Sequence, residues 1–182
     1  TRLSAIMLAS ERPLVSLRRN RFPQMFLARV PRIALTSRSR SHDHRRERPH
    51  TLLELGTVDD QLAAFLEAAV LARCNIMVAG ATDAGKTTLL RALINCIPPE
   101  ERLVTVERAL ELGLRRHPEL HANVAEMEEV LPSADGGGGL SIGQLVRRTR
   151  RQNPSRVIVG EVLGPEVVEM LSAMSQGNDG SL

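Results

Sequence analysis

The chain has 182 residues, enough for one core and part of a second, and its 42% hydrophobic content is ordinary for a soluble globular protein. No apolar run approaches the ~20 residues of a transmembrane helix, and the start, Thr1-Arg2-Leu3, has neither the build of a signal peptide nor an initiator Met, so a piece of a longer protein is expected. The net charge of +3 hides a split: residues 1–50 carry 12 Arg against 3 acids (+9), and residues 51–182 carry 12 bases against 18 acids (−6).

The basic first part suits a membrane surface, an acidic partner domain, nucleic acid or plain solvent. Nucleic acid is not expected, because the chain has no Trp or Tyr and only Phe22, Phe26 and Phe65 on which to stack bases. Residues 3–7 (LSAIM) and 14–17 (LVSL) read as short strands. Residues 31–50, rich in Arg, Ser and His, read as a linker or inserted loop, with His42 and His44 as solvated side chains rather than metal ligands.

From Thr51 the pattern becomes regular. Thr57 and Asp60 have capping-box spacing, and Leu62, Phe65, Leu66, Ala69 and Val70 share a helical face. Asn75–Ala79 reads as a strand, 87–97 as a helix stopped by Pro98-Pro99, Arg102–Val106 as a strand and 119–131 as a helix. Asp135–Gly139 reads as a flexible turn. Ser141 caps a helix that turns Ile142, Leu145, Val146 and Thr149 inward until Asn153-Pro154, Arg156–Gly160 is a strand, and a last helix runs from Pro165 to just before Gly177. Strands alternating with helices predict a parallel sheet flanked by helices, an α/β fold. Cys74 and Cys96 match no zinc spacing and read as buried free thiols of a reduced compartment.

Residues 80–87, GATDAGKT, fit the phosphate-binding pattern G-x-x-x-x-G-K-[ST] between a predicted strand and a predicted helix. Gly80 and Gly85 let backbone N–H groups close around phosphates, and the helix from Lys86 aims its positive end at the anion. Lys86 is expected to reach the β- and γ-phosphates, and the Thr87 hydroxyl to ligate Mg²⁺. Of 24 basic residues 23 are Arg, and Lys86 is the single Lys. A compact ammonium fits inside such a loop where a planar guanidinium does not. Asp83 must point away from the phosphates, and Asp tolerates φ > 0.

A P-loop enzyme also needs an acid at a neighbouring strand end. Glu107 follows RLVTV, with Glu111 close behind, and Glu161 follows RVIVG, both at C-terminal strand ends where α/β sheets bind ligands. His117 and His121 share helical spacing, but HPELH is not a zinc motif and Pro118 intrudes.

The blocks GATDAGKTTLLRAL, ERLVTVERALEL, RRQNPSRVIVGEV and EMLSAMSQGNDGSL, in that order, resemble the secretion ATPases of the type II/type IV superfamily, most closely the CpaF/TadA branch that drives tight-adherence pilus assembly. The resemblance covers 51–182 well, and TRLSAIM and VSLRR more weakly resemble the end of that family's N-terminal domain. It implies a RecA-like P-loop fold with a remnant of a smaller α+β domain at 1–30, a basic linker at 31–50 and an ATPase domain at 51–182 truncated at its C-terminus. It further implies a Walker A loop over Gly80, Ala81, Thr82, Asp83, Ala84, Gly85, Lys86, Thr87 and Thr88, with ATP and Mg²⁺ as cofactors. Glu107 becomes the acidic-box water activator, Glu161 a Walker B glutamate that joins Thr87 on the metal, and Arg18 an arginine reaching the nucleotide. A homo-hexameric parent, working with inner-membrane platform proteins on the cytoplasmic face of the membrane, is implied as well.

Two places depart from the pattern: Arg108 stands where many members have Asp, and Leu163 where many have Arg. The alternatives are a nucleotide-binding scaffold without hydrolysis or another small P-loop enzyme. A GTPase is not expected, since its N-K-x-D motif needs a second lysine.

Overall fold

The computed structural model describes residues 2–6, 14–18, 24–28, 50–133, 138–175 and 178–182. The elements in order are β1 (Arg2–Ile6), β2 (Leu14–Arg18), β3 (Met25–Phe26), β4 (His50–Thr51), α1 (Asp60–Leu71), α2 (Lys86–Ile94), β5 (Leu103–Glu107), β6 (Val124–Glu128), α3 (Ile142–Thr149), β7 (Arg156–Val159) and α4 (Glu166–Met174). The two leading strands expected from sequence form an antiparallel pair with Ser4 opposite Ser16. The linker segment 31–49, with His42 and His44, lies outside the described residues, as do 134–137 and Gly177.

The central sheet is parallel, in the order β6-β5-β7. Alternation along its strands sorts the core into two layers. Leu103 and Ile158 join Ala63, Val70, Leu90 and Leu93 on the face covered by α1 and α2. Val106, Val157 and Val159 pack against Ile142, Val146, Met170 and Met174 of α3 and α4 on the other. Helices on both faces of a parallel sheet make the α/β fold expected. α3 starts at a full capping box, in which Ser141 Oγ accepts from Gln144 N–H and Gln144 Oε1 from Ser141 N–H, and it buries the predicted Ile142, Leu145, Val146 and Thr149.

The short β3 pairs with β4 in parallel, and Met25 and Leu27 sit in the same core as Leu90 and Leu93. Asn95, the C-cap of α2, donates Nδ2–H to the Met25 carbonyl at 2.8 Å.

Five expectations are corrected. Asp59, not Thr57, caps α1, its Oδ1 accepting from Leu62 N–H at 2.8 Å. That helix buries Ala63 and Val70, while Leu62 and Phe65 are 44% and 68% exposed. The apolar arc of the helix is broad, and periodicity does not choose which edge faces the core. Residues 119–131 hold no helix; Val124–Glu128 pairs along β5 from Leu103↔Val124 to Glu107↔Glu128, so edge pairing overrides the helical propensity of an Ala/Glu/Met-rich stretch. Asn75–Ala79 is extended without being a strand, because the single backbone bond it makes among the described residues, Ile76 N–H to the Ser181 carbonyl at 3.1 Å, does not make a ladder. Cys74 is exposed; only Cys96 is substantially buried, which pushes its thiol up to about 12.

Candidate functional site

All three strands of the parallel sheet end at one edge, and the residues that follow them converge there. A cleft of about 850 Å³ opens at this edge, lined by Lys86 and Thr87 from the start of α2, Glu107 and Arg108 from the end of β5, and Gly160 and Glu161 from the end of β7. Loop residues Gly80, Thr82 and Asp83 complete the wall. Four residues picked from sequence are thereby brought together from three elements: Lys86, Thr87, Glu107 and Glu161.

Gly85 is the N-cap of α2 at φ 85, a left-handed conformation that glycine adopts without strain, and no side chain caps the helix. Gly85 itself thus leaves the first N–H groups of α2 uncapped. Asp83 is exposed at φ 59, as its tolerance of that region allows. Lys86 Nζ donates to the carbonyls of Gly80 at 3.0 Å and Ala81 at 2.6 Å, so the ammonium sits inside the curl of its own loop. Ala84 N–H closes the loop's turn on the Ala81 carbonyl at 3.3 Å, and Thr88 lies in the first turn of α2. Neutral carbonyls are weaker partners for an ammonium than anionic phosphate oxygens, so Lys86 has reason to exchange one for the other.

Glu107 is 2% exposed. Its Oε2 accepts the backbone N–H groups of Glu111 at 2.8 Å and Leu112 at 2.9 Å, and Oε1 lies 3.4 Å from the Thr105 hydroxyl. Burial raises its pKa above the ordinary carboxylate value, against the pull of those two N–H bonds. Arg91, buried on α2, donates Nη2–H to the Glu111 carbonyl at 2.8 Å. The helix that follows the phosphate loop thus fixes the turn that fixes Glu107. Glu161 is the more open acid, its side chain 42% exposed, with Oε1 3.5 Å from Arg108 Nε.

Arg18 ends β2 opposite Arg2, and its side chain lies outside the described residues. His121 donates from Nε2 to Asn95 Oδ1 at 2.9 Å, an orientation set by Asn95 Nδ2 facing the Met25 carbonyl, and His117 Nδ1 accepts from Gln24 Nε2 at 2.8 Å. Both histidines therefore seat the segment around Met25.

Sequence reasoning missed the buried arginines Arg91 and Arg156. Arg156 is 1% exposed inside a core strand, its guanidinium gripping both oxygens of Glu101 at 2.9 Å. A charge in the apolar run RVIV was the signal, and the arginine-rich composition masked it.

The profile of the type II/IV secretion system proteins matches residues 4–182. The chain belongs to this family. It is 43% identical over 129 residues to a Mycobacterium tuberculosis protein named for conjugal transfer, covering 71% of this chain and 35% of that one. It is 36% identical over 123 residues to VirB11 of Agrobacterium fabrum, covering 66% and 33%, and 36% identical over 138 residues to the type IV secretion system protein PtlH of Bordetella pertussis, covering 74% and 38%. Its fold matches the crystal structure of the VirB11 ATPase from the Brucella suis type IV secretion system, in complex with sulphate, with a TM-score of 0.56 at 32% identity, covering 71% of this chain and 34% of that one. The fold is accordingly of the RecA-like P-loop type. The match spans about a third of the length of each of these relatives. Among the described residues no helix is long and apolar enough to cross a membrane.

Proposed function

We propose that the chain is the nucleotide-binding part of an ATP-hydrolysing motor of a type II/IV secretion system, within the branch that assembles tight-adherence pili. The observation that carries this is the shared cleft, in which Lys86 and Thr87 at the start of α2 face Glu107 and Glu161 at the ends of β5 and β7.

The residues fit a nucleotide with its metal. A helix start without a side-chain cap, behind a glycine loop and a single ammonium, suits phosphate oxygens. A threonine hydroxyl and a carboxylate suit Mg²⁺, which takes a few protein oxygens and fills the rest of its shell from phosphate and water. In this reading residues 80–88 cradle the phosphates, and Lys86 neutralises the oxygens that gain charge. Thr87 and Glu161 would hold Mg²⁺, which would supply positive charge beside the phosphates. Glu107, raised by burial and held by the 108–112 turn, orients the attacking water and takes its proton. Arg18 is assigned to the nucleotide from the leading part of the chain.

The domain reading is a leading remnant over 1–30, a basic linker over 31–50 and the ATPase domain over 51–182, with Met25–Leu27 as the point where the first is seated on the last. The longer parent is assigned a homo-hexameric ring, peripheral on the cytoplasmic face of the inner membrane, acting with platform proteins and not with nucleic acid.

Titration of a labelled ATP analogue, with phosphate release followed in parallel, tests the reading on the chain, on its longer parent and on Lys86→Ala. Expected are binding by the chain, turnover by the parent and loss of both in the variant. Binding without turnover in the parent moves the protein to the class of nucleotide-binding scaffolds. Unchanged affinity and turnover in Lys86→Ala overturns the assignment.

A further inference from the structure

Arg108 leaves the sheet directly after Glu107, at the same edge as the cleft it lines. Its guanidinium meets three carboxylates from three directions. Nη2 lies 3.1 Å from Glu166 Oε1 on α4, Nε 3.5 Å from Glu161 Oε1 after β7, and Nη1 3.7 Å from Glu129 Oε2 after β6.

The three contacts are unequal. Glu166 and Glu129 are well covered, at 11% and 15% side-chain exposure, and each is also held by backbone: Glu166 Oε1 accepts Leu163 N–H at 3.0 Å, and Glu129 Oε1 accepts Ile142 N–H at 3.4 Å. The Leu163 N–H, with further backbone and Arg108 contacts, holds the Glu166 carboxyl below its ordinary range. Glu161 is open at 42%, and Arg108 Nε reaches it at ion-pair rather than hydrogen-bond distance. Arg108 is thus hydrogen-bonded to one fixed acid, Glu166, and stands at ion-pair distance from a second fixed acid, Glu129, and from the exposed Glu161. One positive charge among three negative ones leaves the group net negative, a setting that draws a cation.

Resting on the reading of the cleft as a nucleotide and Mg²⁺ site, we propose that Arg108 is a positioning residue for Glu161. Anchored on Glu166, with Glu129 behind it at ion-pair distance, it holds the Glu161 carboxylate at the cleft wall and competes with the divalent cation for it. A planar fork with several donors suits the task, since it contacts three acids at once where an ammonium supplies a point charge. The arginine at this position then sets how much Mg²⁺ the site demands, and it places the acid correctly once the cation arrives.

The test is the Mg²⁺ dependence of labelled-ADP binding, alongside turnover in the longer parent, for Arg108→Ala, Arg108→Lys, Glu161→Gln and the double variant Arg108→Ala/Glu161→Gln. With EDTA present, Arg108→Ala should bind labelled ADP within about twofold of the unsubstituted protein, because the phosphate loop is untouched. Its Mg²⁺ half-point should fall, since a repelling charge is gone, while turnover drops about tenfold or more as Glu161 loses its support. Arg108→Lys should restore the Mg²⁺ half-point but not the turnover. In the Glu161→Gln background, Arg108→Ala should move the half-point no further. A half-point and turnover unchanged in Arg108→Ala, or a shift of the same size without Glu161, overturns the proposal. Arg108→Lys and Glu161→Gln keep this decision available if the alanine variant does not fold. Failure of the unsubstituted protein to bind labelled ADP both in EDTA and in excess Mg²⁺ overturns the nucleotide reading itself, and this proposal with it.

Discussion

The side chain of Glu107 lies across Gly160 so closely that a Cβ on Gly160 would come within 2.8 Å of Glu107 Cγ. Gly160 continues the sheet, its N–H donating to the Val106 carbonyl at 2.9 Å, so its backbone has little room to retreat. Glu107 has no easier escape, because its far end is tied to the N–H groups of Glu111 and Leu112. A side chain before Glu161, such as the Asp of other P-loop enzymes, is thereby excluded. Gly160→Ala is expected to destabilise the chain by about 1–3 kcal/mol and to lower turnover in the parent by displacing Glu107. Urea unfolding with a phosphate-release assay reads both, and a fully stable, fully active variant would contradict the packing described.

Lys86→Arg keeps the charge and should still fail. The ammonium is held 3.0 Å from the Gly80 carbonyl and 2.6 Å from the Ala81 carbonyl, inside the loop's curl. A guanidinium is wider and longer, and must either open the loop or leave it. The expected result is a loss of labelled-ATP affinity of about tenfold or more, since one displaced charge-assisted contact is worth about 1.5–3 kcal/mol. Parental affinity in this variant would show that charge alone recruits the nucleotide.

Much of this site could be read from sequence because its parts are local. The loop GATDAGKT, the capping box at Ser141 and the acids closing RLVTV and RVIVG each declare themselves within a few residues. What was not legible depends on partners far along the chain. The strand Val124–Glu128 exists only because β5 lies beside it, and the burial of Ala63 rather than Phe65 depends on which edge of α1 meets α2. Arg156 passed unnoticed in an arginine-rich sequence and Arg108 stood out only as a departure from the family pattern; the placement of Glu101 and Glu161 is what gives them their tasks.

His121 should make the chain lose stability on mild acidification. It is 3% exposed, and burial first, then His117, lowers its pKa from 6.5 to about 4. The folded state therefore favours the neutral ring, and the unfolded chain takes up the proton first. The stabilisation is fully present above pH 6.5 and is lost as pH falls toward about 4. At about 1.36 kcal/mol per pKa unit the full effect is bounded near 3 kcal/mol. His121→Gln keeps a donor for Asn95 Oδ1 and removes the titration. Unfolding free energies between pH 7 and 5 should slope for the parent chain and flatten for the variant; equal slopes would assign the acid sensitivity elsewhere.

The pair Glu101–Arg156 makes a sharper test of how the sheet edge is held. Arg156 is buried on β7, where its Nη1 donates to the Val70 carbonyl at 2.8 Å while Nε and Nη2 hold both oxygens of Glu101. Glu101 also receives Arg73 Nη1 at 3.0 Å, and Arg73 Nη2 donates to the Ser155 carbonyl at 2.6 Å. One carboxylate thus joins the end of α1 to the start of β7. The Arg156 contact, ahead of all other causes, lowers the Glu101 pKa. Its contribution is therefore present above the unfolded carboxylate value of 4.5 and lost as pH falls through the lowered one, starting at the acid end of the window in which His121 acts. Glu101→Gln strands a buried guanidinium and should cost about 3–5 kcal/mol, as should Arg156→Met. The double variant removes both charges and should cost clearly less than the sum, because its second change leaves no further charge unpaired. Denaturant unfolding of the four proteins at pH 7 measures the coupling directly, and strictly additive losses would mean that the two side chains act on the fold independently.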